Sequence, residues 1–391
     1  MTGFQTPTLA DPLARPATQL VTVFGGSGFL GRHVVKALAK RGYRVRVAVR
    51  RPDLALFLQP LGKVGQIVAV QANLRYPESI AKAVAGADIV VNLVGILQET
   101  GRQSFSGLQS EGAGAIARAA QVGAHLVHVS ALGADANSSS NYARSKALGE
   151  ARVLAARPNA VVLRPSIVFG PGDSFFNRFA GLARALPVLP LAGAETRFQP
   201  VFVGDVAEAV ARAVDGHVPG GQVYELGGPE IRTLEALVRY MLETTMRKRA
   251  VVSLPLPAAR LQARMLEIVD TLTLGFLPDA LKLTRDQVTL LQTDNVVSEG
   301  AKSEGRTIEA LGIVPTAMEA VVPGYLWRFR KAGQFTTGRG TEAQAEIPDT
   351  LAPEPMGEGS QHRPGRASGP AIGPDAASPS RMGARWGTRD K

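Results

Sequence analysis

Three glycines spaced three apart, Gly25, Gly28 and Gly31, stand between an apolar run and an amphipathic one. Leu20–Phe24 has the length and composition of a buried strand. After the glycines, Leu30, Val34 and Leu38 recur at i, i+4 and i+8, one face of a helix. A strand that turns into a helix through such a loop narrows the possible folds sharply. The first glycine allows the tight turn, the second lets the backbone approach a pyrophosphate, and the third lets the helix pack closely on the strand. The helix start then offers free N–H groups and a partial positive charge to the phosphates. Gly42 is expected to cap the far end.

The alternation continues. Arg44–Val49 reads as a second strand running into a loop at Pro52, and Ile67–Val70, Asp88–Leu93, Leu126–Ser130 and Val161–Arg164 read as further strands. Helical stretches fall near Glu78–Val84, Leu108–Val122 and Tyr142–Ala155. Near-continuous apolar strands in a β-α-β order predict an α/β fold, a Rossmann-type doubly wound parallel sheet covered on both faces. The pattern loosens from Gly170 to Arg197 and returns to strand-then-helix over Gln199–Val214. The expected division is a flexible arm over 1–19, a nucleotide-binding domain over 20–228, a smaller α/β region over 229–332 and a disordered tail over 333–391. In the smaller region Leu261, Met265, Ile268 and Leu272 form one helical face opposite Arg260, Arg264 and Glu267. Packing against the body and docking on a partner or membrane surface both suit such a helix.

The absence of cysteine excludes disulfides, thiolate metal sites and cysteine nucleophiles. The five histidines have no metal-ligand spacing, so no metal site is expected. The net charge is +11, and residues 333–391 carry seven basic and seven acidic side chains, 7 − 7 = 0, so the excess lies on residues 1–332. A basic body suits acidic partners or anionic lipid. Nucleic acid is not expected, because no basic-and-aromatic recognition motif occurs. No secretory leader pattern and no apolar stretch of the ~18 residues needed for a span is seen, which predicts a soluble or peripheral protein.

Two features carry chemistry. Arg50 stands 19 residues after Gly31, where many nucleotide folds place an acid that accepts a bond from the adenosine ribose. An arginine cannot accept that bond but can clamp a 2′-phosphate, and Arg51 can add to it, which predicts NADP(H) over NAD(H). The second feature is Ser130, Tyr142 and Lys146. Tyr142 and Lys146 lie four apart on one helix face. A tyrosine with pKa about 10 shuttles protons poorly at neutral pH, and a nearby ammonium, helped by an oxidised nicotinamide, is expected to lower it. Lys146 can also bind the nicotinamide ribose, and Ser130 can orient a substrate carbonyl or hydroxyl.

With these residues in place, the chain resembles the extended or atypical branch of the short-chain dehydrogenase/reductase superfamily over residues 20–330. The matching segments are GGSGFLG (Gly25–Gly31), NLVG (Asn92–Gly95), Ser130, YARSK (Tyr142–Lys146), RPSIVFGPGD (Arg164–Asp173) and PVFVGDVAEAV (Pro200–Val210). The resemblance implies that Ser27, Phe29, Leu30, Val94, Gly95 and Pro165 join the glycines, Tyr142 and Lys146 around the cofactor. It places Asn73 and Leu74 at the adenine and Arg164–Ser166 near the nicotinamide. Gln109 stands where many active members carry a relay asparagine, and Phe24 where they often have threonine.

A closer similarity, in NSSSNYARSKALGE, SLPLPAARLQARMLEIVD and LTRDQVTLLQTDNVVSEGAKSEGRTIEALGI, is to the NADPH-binding accessory subunits of respiratory complex I and their bacterial relatives. It implies other complex I subunits as partners and a peripheral position on the cytoplasmic side of a bacterial inner membrane, or its matrix equivalent. The implied role is structural, without electron input. A free-standing NADP-dependent reductase, epimerase or dehydratase using Tyr142 is the competing reading, and a nucleotide-regulated binding protein is a third. Sequence leaves catalysis open.

Overall fold

One fully parallel sheet organises the computed structural model, which describes residues 17–255, 257–258, 264 and 284–331. The strands in chain order begin with β1 (Leu20–Phe24), β2 (Arg44–Val49), β3 (Ile67–Gln71), β4 (Ile89–Asn92), β5 (His125–Val129) and β6 (Val161–Pro165). Short strands outside the main sheet follow, β7 (Val168–Phe169), β8 (Val188–Ala192), β9 (Arg197–Phe198) and β10 (Val201–Phe202). Then come β11 (Val223–Leu226), β12 (Arg232–Thr233) and β13 (Ala250–Leu254). The seven-stranded sheet has the order β11-β6-β5-β4-β1-β2-β3. The order reverses between β1 and β4, and ligands of such sheets bind beyond the carboxyl ends of the strands at that switch point.

The intervening helices are α1 (Phe29–Lys40), α2 (Pro77–Val84), α3 (Gly112–Ala119), α4 (Asn141–Ala156), α5 (Phe175–Ala185), α6 (Val203–Val214) and α7 (Leu234–Thr244). Period-2 alternation sorts each strand between two cores. Val21 and Val23 of β1 join Val34 and Leu38 of α1 and Val206 and Val210 of α6. Phe24 faces the other way, with Ile80 of α2 and Ile116 of α3. Helix α1 ends as the sequence predicts: Gly42 takes φ +90°, and the Gly42 and Tyr43 amides donate to Ala39 O and Leu38 O.

The structure adds elements that the sequence pattern did not show. The loop expected at Pro52 is a 3₁₀-helix, Pro52–Leu61, with proline in its first turn and Ala55 and Leu58 buried. The helix expected over 108–122 starts as a π-helical turn, Ser106–Glu111, and its α-helical part ends at Ala119. The loosened stretch after Gly170 contains α5, whose Phe176, Ala180 and Ala183 enter a second core with Leu189, Leu237, Met241 and Leu326. That core draws on residues both before and after 228. The amphipathic face at Leu261, Met265, Ile268 and Leu272, residues 1–16 of the expected arm and the expected tail over 333–391 lie outside the described residues. Among the described residues, no helix is long and apolar enough to cross a membrane.

Candidate functional site

The glycine loop joins β1 to α1 with the geometry its residue types dictate. Gly25 has φ +77°, its amide donates to Ala48 O at 3.2 Å, and the Gly28 amide donates to Gly25 O at 3.0 Å. A Cβ on Gly31 would lie 2.3 Å from Gly25 O, so only glycine lets the first turn of α1 rest on the loop. No side chain caps the start of α1 at Gly28, which leaves its N-terminal N–H groups for an anion.

A cleft of 480 Å³ opens along this loop, within the range of small-molecule sites. Its lining brings together Gly25, Ser27, Gly28, Phe29, Leu30, Gly31, Arg50, Asn73, Leu74, Val94, Gly95 and Tyr142. Ser130, Lys146, Pro165 and Arg51 are not in the lining. Arg51 is 68% exposed and salt-bridged to Asp53 at 2.8 Å. Arg50, by contrast, has neither a hydrogen bond nor an ion pair among the described residues. The Asn73 Oδ1 accepts from the Arg75 amide at 3.2 Å, an Asx turn that leaves the side-chain NH₂ available to a base. Sequence reasoning missed Ala48, Val49, Ala72 and Leu93 in the lining. These lie at or just beyond the carboxyl ends of β2, β3 and β4, and the switch-point rule could have found them. Ser174 also lines the cleft, and no sequence signal pointed to it.

Two buried amides hold the wall of the cleft. Asn92, at the end of β4, accepts from the Val94 amide at 3.0 Å and its NH₂ meets His128 Nδ1 at 3.1 Å. Gln109, the residue that departs from the relay asparagine, donates to Ile96 O at 2.6 Å and accepts from Ser145 Oγ at 2.8 Å. Its amide therefore ties the strand-end loop to α4. Helix α4 is itself anchored from the far C-terminal part of the chain: Asp286 accepts from the Asn141 amide at 2.7 Å, the Tyr142 amide at 3.3 Å and Ser140 Oγ at 2.9 Å. A carboxylate at a helix N-terminus also complements the dipole.

Tyr142 lines the cleft, Lys146 is buried on the same helix, and Ser130 is buried just past the end of β5. Ser130 is 4% exposed, and its Oγ is a buried atom without a hydrogen-bond partner. The Lys146 Nζ lies 6.0 Å from the Tyr142 ring centroid and 3.2 Å from where a Cβ on Gly95 would stand. Burial pushes the Tyr142 hydroxyl up to about 12, and burial lowers the Lys146 ammonium to about 8 against the opposing pull of Glu150. At 6 Å from the ring, the lysine does not offset desolvation of the phenolate.

His128 is buried beside them with Nε2 unpartnered. Burial, and then the Lys146 charge, hold its imidazole down to about 3. An unfolded chain binds a proton at about 6.5, so between these values the unfolded state is the more protonated. The stability from neutral His128 is therefore present above pH ~6.5 and lost as pH falls toward 3, at about 1.4 kcal/mol per pH unit for one group. His128→Gln is expected to flatten urea-unfolding stability against pH between about 4 and 6.5 by one proton's worth. An unchanged slope would assign the pH dependence to other groups.

The uncapped helix start, the lone Arg50 guanidinium and the orphaned Ser130 hydroxyl suit a dinucleotide running from the glycine loop toward α4. Comparison with known proteins agrees. A family model described as NAD(P)H-binding matches residues 25–166, and the NAD dependent epimerase/dehydratase family matches residues 118–227. The chain is 33% identical over 340 residues to the mitochondrial NADH dehydrogenase (ubiquinone) 1 alpha subcomplex subunit 9 of Arabidopsis thaliana, covering 85% of this chain and 83% of the relative. It is 37% identical over 196 residues to the ceramide reductase of Caulobacter vibrioides, covering 50% of this chain and 61% of that one. Among solved structures, an NADPH-dependent quinone oxidoreductase of Escherichia coli complexed with NADPH superposes with a TM-score of 0.59 at 19% identity. That match covers 78% of this chain and 99% of that one, a likeness of fold. The chain is thus an NAD(P)H-binding α/β protein.

Proposed function

The chain belongs to the family of the NADH dehydrogenase (ubiquinone) 1 alpha subcomplex subunit 9, and from that premise we propose that it is an NADPH-holding accessory subunit of respiratory complex I. In this role it stabilises the peripheral arm near the membrane junction and does not feed electrons. The observation that carries the reading is the extent of the match, 85% of the chain, which runs well past the dinucleotide-binding segment. A bound dinucleotide supplies a hydride donor or acceptor. What this chain's residues supply is mainly retention: the α1 amides and glycines hold the pyrophosphate, Asn73 and Leu74 the adenine, and Arg50 the 2′-phosphate that makes NADP(H) the preferred form. Tyr142 and Lys146 meet the nicotinamide end. Cofactor held at 100 times its dissociation constant stabilises the fold by about 2.7 kcal/mol. The partners are other complex I subunits, and the site of action is peripheral, on the cytoplasmic side of a bacterial inner membrane or its mitochondrial-matrix equivalent, in contact with the membrane surface.

The similarity to a reductase and the presence of Ser130, Tyr142 and Lys146 favour a second reading, a free-standing NADP-dependent reductase, epimerase or dehydratase. Tyr142→Phe separates the two. Under the structural reading this variant restores complex I level and NADH:quinone activity in a deletion strain to the wild-type value. Loss of NADPH turnover on a carbonyl panel in the same variant, with complex I unaffected by the deletion, would establish the second reading instead.

A further inference from the structure

The turn after α7 gathers cations that form no ion pair among the described residues. Arg184, Arg247, Lys248, Arg249 and Arg330 have no ion-pair partner among the described residues. Three of them are instead fixed by backbone carbonyls: Arg247 Nε donates to Phe329 O at 2.8 Å, Arg249 Nε to Ala183 O at 2.9 Å and Arg330 Nε to Thr244 O at 3.0 Å. A carbonyl holds a guanidinium in place without cancelling its charge. Arg247 accordingly feels repulsion from Arg249 and Arg184. Arg247, Lys248 and Arg249 line an open concavity of 700 Å³, in whose lining Glu243 is the single carboxylate. Arg239, also in the lining, is paired with Glu235 at 2.5 Å.

Apolar side chains stand beside the charges. Met246, 43% exposed, sits in the same turn with φ +52°, the left-handed residue of a Schellman cap in which the Met246 and Arg247 amides donate to Glu243 O and Leu242 O. Strands β13 and β8 pair with Ala250 opposite Val188 and Val252 opposite Pro190. Val188 and Val252 are 42% and 45% exposed on that small sheet.

We propose that this face is the chain's membrane-contact surface: Arg184, Arg247, Lys248, Arg249 and Arg330 meet the headgroups of anionic phospholipids, and Met246, Val188 and Val252 enter the interface. Charge complementarity selects the occupant. A bilayer surface presents a dense field of negative charge to unpaired cations and accepts the apolar side chains between them. The inference rests on peripheral attachment to the membrane, but not on the dinucleotide or on any particular complex I subunit.

The test is co-sedimentation of the full chain with phosphatidylcholine vesicles, with and without phosphatidylglycerol. Binding is expected only with the anionic lipid, and to weaken as salt rises. Each basic residue near such a surface is worth about 1 kcal/mol, so Arg247→Gln with Lys248→Gln should weaken partitioning about 30-fold. Lys248→Glu, at an exposed side chain that makes no hydrogen bond among the described residues, should do the same without disturbing a carbonyl anchor, and NADPH binding should be unchanged in both. Equal binding to neutral vesicles, or wild-type binding by Lys248→Glu, overturns the proposal. So does capture by soluble polyglutamate that anionic vesicles cannot displace, which would mark the face as a site for an acidic protein. None of these failures bears on co-purification with complex I, so the two readings fail separately.

Discussion

Gly31→Ala is expected to destabilise the protein by about 3 kcal/mol and to weaken dinucleotide binding by at least about 10²-fold. The added methyl would stand 2.3 Å from Gly25 O and 2.6 Å from Gly26 Cα and C. All three contacts are backbone, so no side chain can swing away to relieve them. Helix α1 would have to lift from the loop, and its Val34, Val35 and Leu38, all fully buried, would lose contact with the sheet. The same displacement spoils the array of N–H groups on which the pyrophosphate rests. Gly181 supplies the control. It lies inside α5, and a Cβ there meets nothing within 4 Å, so Gly181→Ala should be neutral or stabilising by up to about 1 kcal/mol through helix propensity. Urea unfolding and fluorescence titration with NADPH measure both. Equal midpoints for the two variants would show that the close approach of α1 to the loop is not required.

Arg50→Asp is expected to weaken NADPH by about 10²-fold or more while leaving NADH within about threefold of its original affinity. A charge-assisted contact to a 2′-phosphate contributes about 1.5–3 kcal/mol, and a carboxylate in its place adds repulsion. The same carboxylate can accept from the free ribose hydroxyl of NADH. Arg50 lines the cleft and has no competing acid, whereas Arg51 is already paired with Asp53 at 2.8 Å. Arg51→Ala should therefore cost only a few-fold. Calorimetric titration of each variant with both nucleotides separates the cases. Equal loss of both cofactors in Arg50→Asp would place the residue in general support of the cleft, without a role in reading the phosphate.

The parts of the molecule that sequence foretold are those governed by local rules. Strands β1 to β6 are short apolar runs bounded by polar or glycine breaks, and α1, α2 and α4 have a clean repeat or a clear start, such as Ser140 accepting from the Ala143 amide at 3.3 Å. The elements it missed depend on distant partners. Helix α5 carries its apolar face between prolines and glycines, and only the second core shows what Phe176 and Ala180 face. Within the π-helical turn at Ser106–Glu111, Gln109 reaches Ile96 and Ser145, 13 and 36 residues away. Asp286 on the start of α4 joins residues 145 apart. At the site, the glycine spacing and Arg50 were read from the sequence, and the structure brings Gly25, Gly28, Gly31, Arg50 and Tyr142 into one cleft. The burial of Ser130 and Lys146 was not legible, because it is set by packing and not by the Y-x-x-x-K pattern.

The central claim is that this chain is a nucleotide-holding subunit of complex I, and affinity purification from detergent-solubilised membranes tests it most directly. The tagged chain should recover the core subunits of complex I in stoichiometric amount, with about one NADP(H) and little NAD(H) released on denaturation. Recovery of the chain alone, or with partners unrelated to complex I, would contradict the account, as would a tagged protein that carries no pyridine nucleotide and takes up none when it is supplied.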